Sequence, residues 1–104
     1  ASKFAMNGLT QSLAKELGGR GIRVNALCPV LIETPGLLAA LAIENSPAQG
    51  SVDTFFKNFA ETNTALGRLP TGAEVANMCV FLCSDLASAM TGQCINVDCG
   101  VFPQ

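Results

Sequence analysis

The sequence contains no histidine and no tyrosine, and charged residues make up only 13% of its 104 positions. Without imidazole, a metal site would have to rest on the five cysteines, Cys28, Cys79, Cys83, Cys94 and Cys99. Their odd count and the lack of any CxxC pair support neither a zinc site nor a disulfide framework. A cysteine-based redox or metal module is therefore the least supported reading. Cys79 and Cys83 stand one helical turn apart inside "MCVFLC", a setting in which free cysteine reads as a small buried hydrophobe. A basic excess is also absent. Six Lys and Arg against eight Asp and Glu give a net charge of -2, which offers no field for nucleic acid or anionic lipid. No apolar run approaches the ~20 residues that span a bilayer. Reduced thiols and the lack of a signal-peptide pattern point to the cytoplasm. No repeat, low-complexity tract or linker divides the chain, which is expected to form part of one domain.

Apolar residues are plentiful instead, at 49%, which argues against disorder and implies that some of the surface is covered by other protein. From Phe4 to Leu17 they recur at threes and fours (Phe4, Ala5, Leu9, Leu13, Leu17), predicting a helix with one buried stripe. Gly18 and Gly19 are expected to end it in the left-handed conformation. "IRVNALC" then reads as a strand buried on both faces, with Asn25 a polar residue satisfied near the sheet's end. Helix, short loop and buried strand are half of a βαβ unit. Pro29 and Pro35 take the chain out of the ladder at the strand's carboxyl end, where open α/β sheets bind ligands. Residues 37–65 predict two short helices, "LLAALAIE" and "VDTFFKNFAETN", as a substrate flap or an ordinary helical hairpin. "GRLPTGAEVANMCVFLCSD" predicts a further helix with a capping box at Thr71 and Glu74. Its middle is apolar on every side, so both faces are expected to be covered. "TGQCINVDCG" supplies a last strand centred on Cys94 to Val97.

In this order the segments resemble the carboxyl-terminal part of the short-chain dehydrogenase/reductase family. "ASK" before a helix looks like the end of that family's Tyr-x-x-x-Lys motif. "GIRVNALCPVLIETP" looks like its strand and nicotinamide-facing loop, and the segments from Gly67 to Gly100 like its last helix and strand. The resemblance implies an α/β fold, the C-terminal part of a doubly wound Rossmann-like parallel sheet with flanking helices. Residues 1–104 would be the C-terminal part of one such domain, with a substrate flap at about 36–65. The N-terminal cofactor-binding half is expected upstream, together with the motif's tyrosine just before residue 1, the glycine-rich fingerprint and the family's serine and asparagine. That makes the chain about the last two-fifths of a protein of roughly 250 residues.

By the same resemblance the parent is an NAD(P)-dependent oxidoreductase that interconverts an alcohol and a ketone by hydride transfer, with a tyrosine hydroxyl as general acid/base. Lys3 would be catalytic and would also bind the ribose of NAD or NADP. Pro29, Val30, Ile32 and Thr34 would line the nicotinamide pocket, the Ile32 backbone pairing with the carboxamide and the Thr34 hydroxyl contacting the carboxamide or phosphate region. Taken alone, Lys3 reads as a solvated charge at a helix start, and the motif order is what favours the catalytic role. Glu33 reads as a solvated loop charge. Two departures from the family pattern stand out. Val30 holds a position usually glycine, where a positive φ would strain it, and Cys99 replaces the first glycine of an Asp-Gly-Gly ending. Expected partners are a small alcohol or ketone, the remainder of the subunit, and further copies in a homodimer or homotetramer, with the first helix and the last helix-strand pair at symmetric interfaces. Alone, the fragment is expected to be inactive and stable only with the rest of its subunit. The alternative is a non-catalytic structural or oligomerisation fragment.

Overall fold

The computed structural model describes residues 2–30 and 52–103, with side chains from Phe4 onward in the first span. The described elements are α1 (Ser2–Leu17), β1 (Ala26–Pro29), α2 (Val52–Asn63), α3 (Gly72–Cys83) and β2 (Cys94–Val97), with 3₁₀ turns at Gly18–Arg20 and Asp85–Ala87. β1 and β2 pair in a parallel two-stranded sheet, consistent with part of an α/β fold. The chain divides into two compact units, Ala1–Cys28 with Val75–Asn96 and Pro29–Glu74 with Val97–Gln104.

In the first unit α1 ends at Leu17, as expected, but the left-handed residue comes later. Gly18–Arg20 tighten into a 3₁₀ turn, and Gly21 (φ 73°) closes it by donating its N–H to the Gly18 carbonyl at 3.0 Å. The buried face of α1 also differs from the expected stripe. Thr10 and Ala14 are buried, Asn7, Leu13 and Leu17 are half-buried, and Phe4 (81% exposed), Ala5 and Leu9 (54%) face outward. Small side chains decide the packing. A Cβ on Gly92 would meet the Ala14 Cβ at 3.4 Å, so helix and loop approach more closely than a leucine would allow. Thr10 tolerates burial because its hydroxyl donates to the Met6 carbonyl at 2.8 Å.

β1 is shorter than expected. Residues 22–25 lie outside it, and the strand itself is half-buried apart from exposed Pro29. The approach to the strands is held by side chains as much as by backbone. Val24 accepts from Gly92 N–H at 2.7 Å, and Ala26 donates to Gln93 at 2.8 Å. Between them the Asn25 carboxamide donates to the Met90 carbonyl at 3.0 Å and accepts from Gln93 N–H at 3.1 Å. Asn25 is thus satisfied at the sheet's end, as its sequence context indicated. The Arg23 guanidinium donates to the carbonyls of Met90 and Ser84, both at 3.3 Å. Leu82 is buried on α3, but Cys79, Val80 (69% exposed), Phe81 and Cys83 are exposed. The expectation of buried cysteines is overturned, because Leu82 takes the inward position and the two thiols flank it.

In the second unit α2 buries Phe56 and Ala60, one turn apart, with Val52, Phe55 and Leu69 against Phe56. The Phe55 and Phe56 rings stand 5.9 Å apart in a tilted pair. Asp53 lies in the first turn, where the helix dipole favours a carboxylate. The predicted helix "LLAALAIE" falls outside the described residues. The capping box at the start of α3 is present in full. Glu74 N–H donates to Thr71 Oγ1 at 3.1 Å, and Thr71 N–H donates to Glu74 Oε1 at 2.9 Å. Arg68 adds a two-pronged pair to the same carboxylate, both contacts at 2.8 Å. These bonds, with Arg68 contributing most, lower the Glu74 pKa from 4.5 to about 2.

After β2 the chain turns tightly. The buried Asp98 carboxylate accepts from Gly100 N–H at 3.0 Å and Phe102 N–H at 3.1 Å, while the Cys99 carbonyl accepts from Leu66 N–H at 3.0 Å. Cys99 (φ 54°) is the one non-glycine among the described residues with a positive φ, and Gly100 follows at 87°. A Cβ on Gly100 would lie 2.5 Å from the Ala65 Cβ, so that position requires glycine.

Two predictions follow from the second unit, both for the complete protein. Cys99→Gly is expected to stabilise by about 0.5–1 kcal/mol, because it relieves left-handed strain, whereas Gly100→Ala destabilises by about 1–3 kcal/mol. Opposite shifts in denaturation midpoint for the two variants would bear this out. Thr71→Ala is expected to cost about 1 kcal/mol through loss of the cap. Since the folded-state pKa of Glu74 is depressed, its contribution is complete above pH 4.5 and is lost as pH falls toward about 2. Acid titrations of stability should therefore fall less steeply across that window in Glu74→Gln than in the parent.

Candidate functional site

The carboxyl end of β1 is the part of the expected nicotinamide site that the described residues contain. Pro29 is the last residue of the strand and is exposed; Val30 follows it, half-buried. Proline offers no N–H to a ladder, so its place at the end releases the chain from the sheet where the sequence indicated. Val30 does not have a positive φ, and the strain considered for it is absent. Ile32, Thr34 and Glu33 lie outside the described residues. So do the flap residues Leu37, Leu38 and Leu41, whereas Phe56, read as flap or core, is core.

Lys3 falls within the first turn of α1, and its side chain is outside the described residues. Further along the helix the inward positions Asn7, Thr10 and Ala14 recur at intervals of three and four. Asn7 Oδ1 is itself buried and is the one such side-chain atom among the described residues without a hydrogen-bond partner. Pro29 and Val30 are thus adjacent at the end of β1, and the remaining expected groups, Ile32, Thr34 and the Lys3 side chain, lie outside the described residues.

The exposed Pro29 ring at the end of β1 is the described feature that bears on a nicotinamide, and an apolar ring there is compatible with packing against a planar heterocycle. Among the described residues no group of three His, Cys, Asp or Glu side chains could hold a metal ion, and all five cysteines are free. No helix among them is long and apolar enough to cross a membrane. Two features passed unnoticed in the sequence. One is the Arg68–Glu74 pair, whose only signal was an arginine six residues before a capping glutamate. The other is the Asp98 carboxylate that organises the last turn, foreshadowed only by its place before Cys99 and Gly100. A groove of about 340 Å³ in the first unit is lined by Arg23, Asn25, Leu27, Cys79, Leu82 and Cys83.

The chain matches the family model described as enoyl-(acyl carrier protein) reductase over residues 1–102. A 3α-hydroxysteroid dehydrogenase of Mediterraneibacter gnavus is 43% identical over 94% of this chain and 34% of its own length. A 3-oxoacyl-[acyl-carrier-protein] reductase of Aquifex aeolicus is 41% identical over 97% and 36%, respectively. Among solved structures, a short-chain dehydrogenase family protein from Francisella tularensis superposes with a TM-score of 0.86 at 32% identity, over 99% of this chain and 42% of that one. The L-sorbose reductase of Gluconobacter frateurii, solved with NADPH and L-sorbose, gives 0.85 at 29% identity, over 98% and 39%. The chain spans about 36% of the length of the first curated relatives it matches. Its segment order, its parallel β1–β2 pair and these matches agree: the chain belongs to the short-chain dehydrogenase/reductase family, of which it is a partial region.

Proposed function

We propose that the protein is an NAD(P)-dependent oxidoreductase that interconverts a small alcohol and a ketone, and that this chain is the C-terminal part of its Rossmann-like domain. The observation that carries the reading is the family match across residues 1–102, with Lys3 at the motif position. Relatives named as dehydrogenases or reductases, one of them solved with NADPH, support it. A nicotinamide cofactor, NAD or NADP, would supply or accept the hydride.

The residues of this chain would prepare that transfer. A free phenol titrates near 10, so a tyrosine acting at neutral pH needs a cation that favours its phenolate. Lys3, four residues after the motif's tyrosine, shares a helix face with it and would provide the charge, while holding ribose hydroxyls with its remaining donors. Pro29 and Val30 would form one wall of the nicotinamide pocket. Ile32 would offer its backbone to the carboxamide, and the Thr34 hydroxyl would contact the carboxamide or phosphate region. Residues 36–65 would close over the substrate as a flap. The outward Phe4 and Leu9 on α1 and Val80 and Phe81 on α3 support coverage by the remainder of the subunit and by other copies in a homodimer or homotetramer. We place the protein in the cytoplasm on its free cysteines.

The test is Lys3→Ala in the complete protein. Turnover is expected to fall by about 100-fold or more. The basic-side titration of kcat/KM should move upward toward that of a free phenol, near 10. Full activity with an unchanged pH profile would remove Lys3 from the mechanism, and failure of the parent to bind either nicotinamide cofactor would remove the reading itself.

A further inference from the structure

The carboxyl end of α2 meets the turn that follows β2 backbone to backbone. Leu66 N–H donates to the Cys99 carbonyl at 3.0 Å. A Cβ on Gly100 would stand 2.5 Å from the Ala65 Cβ, 3.2 Å from its nitrogen and 3.4 Å from its Cα. Carbon atoms in ordinary contact lie about 3.5–4.0 Å apart, so any side chain at position 100 would have to push Ala65 back by about 1 Å or more.

Each half of this joint is held by its own bonds. On the α2 side the Ala60 carbonyl accepts from the Thr64 N–H at 3.1 Å and from the Thr64 hydroxyl at 2.7 Å, and the Asn63 carboxamide donates to the Phe59 carbonyl at 3.1 Å. These contacts close the helix end, and Phe56 and Ala60 anchor the preceding turn by burial. On the other side the Asp98 carboxylate fixes its turn through the N–H groups of Gly100 and Phe102. Closely packed parts of this kind transmit a displacement rather than absorb it. We propose that the Asp98–Gly100 turn is the seat that sets where α2 stands, and that Gly100 and Ala65 are a matched pair of positioning residues for the substrate. The proposal rests on the reading above in which residues 36–65 face the substrate. Neither residue need touch it, because a misplacement of about 1 Å that starts far from the chemistry can cost about 100-fold in rate.

The test compares Gly100→Ala with the double variant Gly100→Ala/Ala65→Gly in the complete protein, using NADH, NADPH and methyl ketones of increasing chain length as probes. In Gly100→Ala, kcat/KM for the ketone is expected to fall by about 100-fold with nicotinamide affinity unchanged, and hydrogen exchange of the Leu66 amide to quicken by about 10-fold. Ala65→Gly removes the opposing Cβ and should restore both. The denaturation midpoint should stay depressed, because the alanine still occupies a φ of 87°. That separation of position from stability is what a merely structural role would not produce. Unchanged Leu66 exchange in Gly100→Ala, a parallel loss of nicotinamide affinity, or no recovery in the double variant would overturn the proposal. If circular dichroism shows Gly100→Ala unfolded, Asp98→Asn, which retains one of the two acceptors, is expected to quicken Leu66 exchange in its place, and no change there would equally overturn it. A parent that neither binds a nicotinamide nor reduces these ketones would remove the oxidoreductase reading, while Leu66 exchange and its recovery still decide the seat.

Discussion

The described sheet depends on one side chain, the carboxamide of Asn25. A parallel pair of strands cannot be joined by a hairpin, so its register must be fixed by contacts distant in sequence. Here Asn25 imitates a peptide unit, giving a donor to Met90 and an acceptor to Gln93, between backbone bonds made by Val24 and Ala26. Thr91 completes the set by accepting Val24 N–H at 3.0 Å. Arg23 ties the same segment to the end of α3 through Ser84. A slip of one residue would break every one of these bonds together, and register is consequently fixed where two short strands alone would hold it weakly.

The same segment lines the groove. Arg23 and Asn25, which precede β1, and Leu27 within it border it together with Cys79, Leu82 and Cys83 of α3. Two polar residues on a surface that faces a helix would be costly if unpaired. They are tolerated because their polar ends donate to the carbonyls of Met90 and Ser84. The short length of β1 and the polar residues leading into it are therefore one fact: positions 23–25 hold the α3–β2 connection rather than extend the ladder.

Much of this was legible in the sequence, and the failures share a cause. The limits of α1 at Leu17, the capping box at Thr71 and Glu74, and β2 at Cys94 to Val97 were readable because each is specified by neighbours within a few residues. The inward face of α1 was not. Hydrophobicity favoured Phe4 and Leu9, but packing chose Thr10 and Ala14, whose small size allows a close approach to Gly92. The burial expected for Cys79 and Cys83 failed likewise, since an all-apolar helix does not disclose which residue points inward. Arg68 and Asp98 were missed because their partners are identified only once the chain has turned. In the loop after β1 the expectations for Ile32 and Thr34 rest on motif order alone, since both lie outside the described residues.

The faces of α1 follow from side-chain size. If hydrophobicity alone had set the orientation, Phe4 and Leu9 would point toward the sheet, and the series through Asn7 would point away. The observed series through Asn7, Thr10 and Ala14 does the reverse. Asn7 Oδ1, buried without a partner among the described residues, marks the same side as one built for polar groups. The small residues Thr10 and Ala14 let α1 approach the loop before β2, and the larger apolar Phe4 and Leu9 are left on its outer face.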